Sequence, residues 1–436
     1  MSLSKFEQYA VNHLFLLVGE NPLPNYVAAR LLLAKGGTPH FIYTANTEET
    51  ARRLAKILQN EPLNPLEPAR MRSLEDGESD TFRIKEVVQQ ELDTITSGKI
   101  GINYTGGTKT MAVHAYRTLH YEKQGNSYQE RQNIQFSYLD PRHLEMCIEK
   151  GNNLTRVKID PHSIKVDLAK IFQIHGWAWL DKSKPIKVPE SSEAAKAFAS
   201  FHTNGDLVKE WRNWCNDILR ENARNPKDKN KWKEEKKLQP LVLPIETVVS
   251  HESIKSALEV VGVKDNTLSL QKLGFSSLRE ACKWLDGEWL EHYVLAEVQA
   301  ISSTYAIHES ASSFWIRNPA NTKQTKFQFD VAFMRGYQLF AISCTTIDSK
   351  FDCKSKLFEA YIRARQLGGD EARVALVCCA DSKGVEALKT EIINVLQPSP
   401  DSPLRDHKLT VFGREDLLNL SNKLTVWIEM NDQDAK

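Results

Sequence analysis

Three features of the 436-residue sequence predict an α/β fold in two domains. Short, continuous apolar runs recur through the first third, at 13–18 (HLFLLV), 41–44, 99–104 and 133–139, with helical patterns between them. Such runs suit strands buried on both faces of a parallel sheet, and alternation with helices winds that sheet on both sides. A glycine-rich loop, TGGTKT at 105–110, joins one of these strands to the next helix. In the last third, a long helical pattern precedes an alternating apolar hairpin with a lone carboxylate, Asp330, inside it.

Bulk properties narrow the function classes. A hydrophobic content of 41% is enough for real cores, and a net charge of +1 confines any nucleic-acid surface to a local patch. The seven cysteines (147, 215, 282, 344, 353, 378 and 379) lack paired zinc spacing, and most read as buried thiols of a reducing compartment. With no leader segment and no apolar run long enough to span a bilayer, the expectation is a soluble, cytoplasmic protein with no membrane partner.

In the first half, the strand at 13–18 leads through GENPLPN (19–25) into a helix from 26 to about 34. The strand at 41–44 leads into a helix over 47–58 with Thr47 as a plausible N-cap and two acidic residues in its first turn. A loop rich in proline and acidic residues runs to about Asp80, followed by a helix to about Thr96. The strand at 99–104 ends in TGGTKT, which opens a helix over 111–120, and the strand at 133–139 closes the set. Glycines let a backbone approach a ligand closely, and a helix N-terminus favours an anion. Lys109 and the threonine hydroxyls add donors. The loop misses the phosphate-cradling motif of ATPases, because Gly107-Thr108 stands where Lys-Ser or Lys-Thr is required.

The layout of VGENPLPN, Thr44–Thr47 and YTGGTKT resembles the CARF domain, the CRISPR-associated Rossmann fold. The resemblance implies a homodimer that binds cyclic oligoadenylate, cyclic tetra-adenylate in particular, with Asn21, Asn25, Thr44, Asn46, Thr105, Gly107, Thr108, Lys109 and Thr110 as ligand residues. The residues alone imply only an anionic ligand. On this reading residues 1–148 form the sensor domain, 149–268 a connecting module and 269–436 the second domain. The run at 225–237 (NPKDKNKWKEEKK) is the most charged stretch. It reads as a solvated loop, with a nucleic-acid contact around Trp232 as the alternative.

The second domain opens with a helical pattern over 278–300, with apolar residues at 281, 285, 289, 290, 293 and 294 and with Glu288 and Glu291 one turn apart. Hairpin strands follow at 327–334 and 337–344 around the turn Arg335-Gly336, then a helix over 351–367 and a strand over 373–379. Helix, hairpin, helix, strand resembles the restriction-endonuclease-like fold. With GEWLEHY and FQFDVAFMRGYQLFAIS, the resemblance extends to the CARF-fused nucleases of prokaryotic type III CRISPR defence. It implies Mg²⁺ or Mn²⁺ held by Glu291, Asp330 and the Cys344 carbonyl, and DNA and/or RNA as substrate. The expected Glu-x-Lys reads Ser343-Cys344-Thr345 here. Either the site is degenerate and the protein is a sensor or scaffold, or the missing charges have moved to the next helix. The second reading is preferred, with Lys356 polarising water or the transition state and Glu359 completing the acidic shell.

Overall fold

The computed structural model describes residues 4–61, 66–124, 127–151, 153–180, 184–319, 326–396 and 407–435. Its first large sheet takes β1 (Val11–Leu17), β2 (Leu33–Tyr43), β3 (Arg70–Ser73), β4 (Ile100–Asn103), β5 (Ile134–Asp140), β6 (Glu145–Lys150) and β7 (Asn153–Lys158) in the order β3-β2-β1-β4-β5-β6-β7. The first five strands are parallel, and β6 and β7 are antiparallel additions. Helices α1 (Leu23–Leu32), α2 (Glu48–Gln59), α3 (Thr81–Leu92) and α4 (Lys109–His120) make or follow the crossovers. The chain winds outward from β1 to β3 and then returns to place β4 on the other side of β1. The boundary between β1 and β4 is therefore the topological switch point, where open α/β sheets bind ligands.

The second sheet takes β8 (Ala178–Trp179), β9 (Ile307–Arg317), β10 (Lys326–Arg335), β11 (Gln338–Thr345), β12 (Arg373–Cys378) and β13 (Leu409–Phe412) in sequential order. It is antiparallel as far as β11 and parallel beyond it, because α7 (Lys350–Gly368) carries the chain back from β11 to β12; α5 (Leu168–Ile174) leads into β8, and α6 (Trp289–Ala300) leads into β9. The turn Arg335-Gly336 joins β10 to β11, with Gly336 at a φ of 65°.

Apolar packing forms three layers. α3 and α4 cover the outer face of the first sheet. A middle layer is continuous between the two sheets, through α1, α2, α5 and α7 to Phe314, Phe329 and Leu376. On the far face of the second sheet, α6 and the helices Ser192–Phe201 and Gly205–Trp214 meet Phe333, Phe340 and Trp427. Much of the segment read as a connecting module thus shares one core with the C-terminal sheet.

Two expectations change. The helix predicted over 278–300 is broken: Leu278–Lys283 gives way to a π-helical segment, Trp284–Glu288, before α6 begins. Gly287 at a φ of 152° cannot continue a helix, and apolar periodicity does not register that break. The charged run contains a short hairpin, Arg224–Asn225 with Asp228–Trp232. Trp232 is buried, with the Arg224 guanidinium 3.8 Å from its ring centroid, so the ring is not open to a stacking base. All seven cysteines are buried free thiols. Among the described residues no helix is long and apolar enough to cross a membrane.

Candidate functional site

A fork between β10 and β11 creates the C-terminal site. The two strands pair from Arg335↔Gln338 to Val331↔Ile342 and then part. Asp330 is the first residue past the parting. Its Oδ2 accepts from Ser343 Oγ (2.9 Å) and from the Cys344 N–H (2.8 Å), so the carboxylate itself ties the two strands together. Side-chain alternation also slips here. Phe327 and Phe329 face the middle apolar layer, whereas beyond Asp330 it is Ala332 and Met334 that do so. Across the ladder, Ala311 and Phe314 show the same slip around Ser313. Ser313 has a φ of 54°, a costly conformation for a residue with a Cβ, and its Oγ donates to Glu291 Oε2. The double slip turns Asp330 out of the buried faces.

The fork opens into a cleft of about 360 Å³ lined by Trp315, Lys326, Asp330, Ser343, Lys356 and Glu359, among others. Lys356 Nζ lies 3.9 Å from Asp330 Oδ2. Lys350 and Lys354 instead pair with Glu391, at 2.5 and 2.7 Å, on the helix Ser382–Leu396. Of these three lysines at the start of α7, Lys356 is the one the structure brings to the aspartate.

Glu291 is buried on α6. Burial, then the charges of Asp330 and Glu288, push its carboxyl well above the ordinary carboxylate range, against the pull of Ser313 and Lys356. Burial also raises Glu288, whose ammonium neighbour Lys283 lies at 3.7 Å. Mutual repulsion between Glu291 and Asp330 is what a bound cation relieves. A divalent ion fits that electrostatic demand. Among the described residues, however, no three His, Cys, Asp or Glu side chains are grouped to hold one, so its further ligands would be backbone, water or substrate oxygens. Burial, then Asp330 and Glu291, push the Cys344 thiol well above its usual value. What Cys344 contributes in this structure is its backbone N–H, donated to Asp330.

On the first sheet, the loops after β1, β2 and β4 leave the same carboxyl edge. The loops after β1 and β4 touch: a Cβ on Gly19 would lie 2.9 Å from the Gly107 nitrogen, and one on Gly106 would lie 2.1 Å from the Leu17 carbonyl oxygen. The glycines of TGGTKT are thus required by chain packing as well as by any ligand. Gly107 has a φ of 73°, and Thr108 caps α4 by accepting from the Met111 N–H at 3.2 Å. Lys109 is exposed at the first turn of that helix, beside Thr110, and Asn46 is exposed on its own loop.

The remaining predicted ligand residues have internal work. Asn25 is fully buried, its Nδ2 donating to the Leu17 carbonyl at 2.9 Å. Thr44 is buried and bonded to Thr47. Thr105 Oγ1 accepts from the Leu139 N–H at 2.6 Å. Asn21 lies against the second domain, beside His175 and Gly369. Sequence reasoning left out Ser313, Ser343 and Glu288 as site residues. The spacing of Glu288 to Glu291 signals the last; a serine forced to positive φ leaves no signal.

No known family model matches the chain, and no curated protein sequence does. Solved structures do. VC1899 from Vibrio cholerae superposes with a TM-score of 0.66 at 16% identity, covering 96% of this chain and 98% of that one. Can2 from Sulfobacillus thermosulfidooxidans, solved in complex with cyclic tetra-adenylate, gives 0.65 at 16% identity over 95% and 99%. This chain has their fold. A type III CRISPR defence DNA nuclease activated by cyclic oligoadenylate aligns at 15% identity and a TM-score of 0.46, over 85% of this chain and 46% of that one. The likeness to VC1899 and Can2 spans both sheets, so the pairing of a Rossmann-like unit with a second α/β unit is part of the shared architecture.

Proposed function

We propose that the protein is a metal-dependent nuclease of type III CRISPR defence, switched on by cyclic oligoadenylate. The observation that carries the reading is the cleft in which Asp330 meets Lys356, with Glu291 buried within electrostatic reach of both, in a chain whose fold is that of a cyclic tetra-adenylate-binding protein. Mg²⁺ or Mn²⁺ at Glu291 and Asp330 would supply an activated water and charge neutralisation at the phosphate. Ser343 and the Cys344 N–H hold the Asp330 carboxylate in one orientation, and Cys344 offers its carbonyl. Lys356 presents a cation to the reacting phosphate, with Glu359 at the rim of the cleft. On the sensor side, the first turn of α4 with Lys109, together with Asn46, receives the ligand phosphates, and a second copy of the chain completes the ligand pocket. Phe82 and Val113, 81% and 58% exposed on α3 and α4 beside that edge, suit the dimer face.

The test combines Mn²⁺ with plasmid DNA or single-stranded RNA, with and without cyclic tetra-adenylate. Cleavage should need both additions and vanish in Asp330→Ala, which should still bind the nucleotide. A second reading, a non-catalytic sensor, draws on Ser343 and Thr345 standing where a carboxylate and a lysine are expected. Wild-type protein that binds the nucleotide and cleaves neither polymer would establish it.

A further inference from the structure

The loop that follows β1 reaches past its own domain. Asn21 lies at its start, and its Nδ2 would be 2.4 Å from a Cβ on Gly369. Gly369 is the C-cap of α7, the helix that carries Lys356 and Glu359, and it sits at a φ of 60°. The backbone conformation favours glycine there, and the absent Cβ leaves the space that the Asn21 amide fills. Elements around this point join the same two bodies. α5 packs against α1, α2 and α7. Arg53 of α2 donates through Nε to the Ile174 carbonyl at 2.9 Å, and Lys170 of α5 pairs with Glu61 at 2.9 Å. The catalytic helix is therefore braced directly against the sensor.

The Asn21 amide is poorly satisfied in this position. Its Oδ1 accepts from the Leu23 N–H at 3.1 Å and faces His175 Nε2 at 3.2 Å. Nδ1 of His175 faces the Ile171 carbonyl at 2.9 Å, so a neutral ring has one proton for two acceptors, that carbonyl and Asn21 Oδ1. Whichever nitrogen carries the proton, the other is set against an acceptor. Turning the amide over would satisfy Nε2 but set Nδ2 against the Leu23 N–H. Burial holds the His175 pKa down at about 4, so the ring does not protonate near neutrality to resolve the conflict. A side chain mismatched in either orientation costs little to rearrange, which is what a two-state element needs.

We propose that Asn21 is a coupling residue: through Gly369 it ties the loop at the switch point to the end of α7, and it passes ligand occupancy to Lys356 and Glu359. The proposal rests on the function proposed above and names the regulation of that site. The resemblance implied a ligand contact for Asn21; the geometry assigns it to the junction instead.

Two measurements test this on the full chain, with cyclic tetra-adenylate as the probe: calorimetry for affinity, and hydrogen exchange across residues 350–368. In the wild type, the probe should change exchange in α7. In Asn21→Ala, affinity should stay within about threefold while the exchange response disappears, and any ligand stimulation of cleavage should fall at least tenfold, within the usual range of coupling energies. Gly369→Ala should disturb exchange in residues 19–25 even without the probe. A wild-type α7 that ignores the probe overturns the proposal. So does an intact response in Asn21→Ala, or a loss of affinity in that variant comparable with Lys109→Ala, which would make Asn21 a ligand contact. A protein that shows the response but cleaves nothing defeats the nuclease reading and leaves the coupling standing.

Discussion

Lysines at 350, 354 and 356 look interchangeable in a helix start dense in charge, and they are not. Lys350 and Lys354 share the Glu391 carboxylate, which they hold below its ordinary range, Lys350 contributing first. Lys356 alone of the three lines the cleft with Asp330. Lys356→Ala should therefore lower the cleavage rate by roughly a hundredfold or more, the usual effect of losing a positioned catalytic charge. Lys350→Ala and Lys354→Ala should stay within about threefold, as exposed ion pairs contribute little. Single-turnover rates with saturating activator check this, and equal losses in all three would mean general electrostatics. Glu371 offers a test at the same scale. It is 2% exposed, and burial raises its carboxyl to about 7. A raised carboxyl favours the protonated folded state, so its stabilising contribution is complete below about pH 4.5 and lost as pH rises through about 7. The stability of Glu371→Gln relative to wild type should therefore climb across that window by roughly 3 kcal/mol. Urea unfolding at a series of pH values measures it, and a flat difference would show that Glu371 is charged and compensated.

At the scale of elements, the site exists because regular elements are interrupted. α6 starts afresh after Gly287, and that restart sets the direction of Glu288 and Glu291. A Cβ at Gly287 would lie 3.2 Å from Thr346 Oγ1, at a φ of 152° that other residues avoid. Gly287→Ala should cost about 1–3 kcal/mol from backbone strain and should depress cleavage by displacing the glutamates. The urea midpoint and the cleavage rate should fall together; an unchanged midpoint would show that the π segment accommodates a side chain. The slip at Ser313 and Asp330 works in the same way. Strict alternation would commit Asp330 to one face of the sheet. The slip places it at the parting of two strands instead, where its charge meets a lysine.

At the scale of the molecule, the two sheets share one apolar layer, so the N-terminal and C-terminal units are not beads on a linker. Ligand binding at the switch point should then stabilise the whole chain against unfolding, by an amount set by ligand concentration over Kd. Lys109→Ala should reduce cyclic tetra-adenylate affinity at least tenfold and remove most of the thermal shift, because it deletes the exposed cation at the α4 start. Calorimetry with unchanged affinity would place the ligand elsewhere. Light scattering should give twice the 49.6 kDa chain mass, and Phe82→Glu with Val113→Glu should halve it. A pair of substitutions that leaves the dimer intact would move the interface off α3 and α4.

The alternation of apolar runs and helical patterns in 13–139 by itself determined a parallel sheet, because burial on both faces imposes one composition on every strand. The TGGTKT loop and the hairpin around Asp330 were legible for a related reason. Glycine pairs and a carboxylate among apolar residues are locally costly and call for a site. Which of the candidate side chains face anything was decided only by the tertiary structure. Asn25 and Thr44 carry the polarity of ligand residues, and the fold also engages them internally, Asn25 with the Leu17 carbonyl and Thr44 with the Thr47 hydroxyl, since a buried polar group left unpaired is costly. Asn21 is drawn to a partner more than a hundred residues away that no local pattern foretells. Ser313 and the slip it creates depend on two strands agreeing to break register together. The choice of Lys356 over its neighbours depends on where Glu391 lands after a further strand and helix. Charges attract through space rather than along the chain, so their pairing waits on the fold.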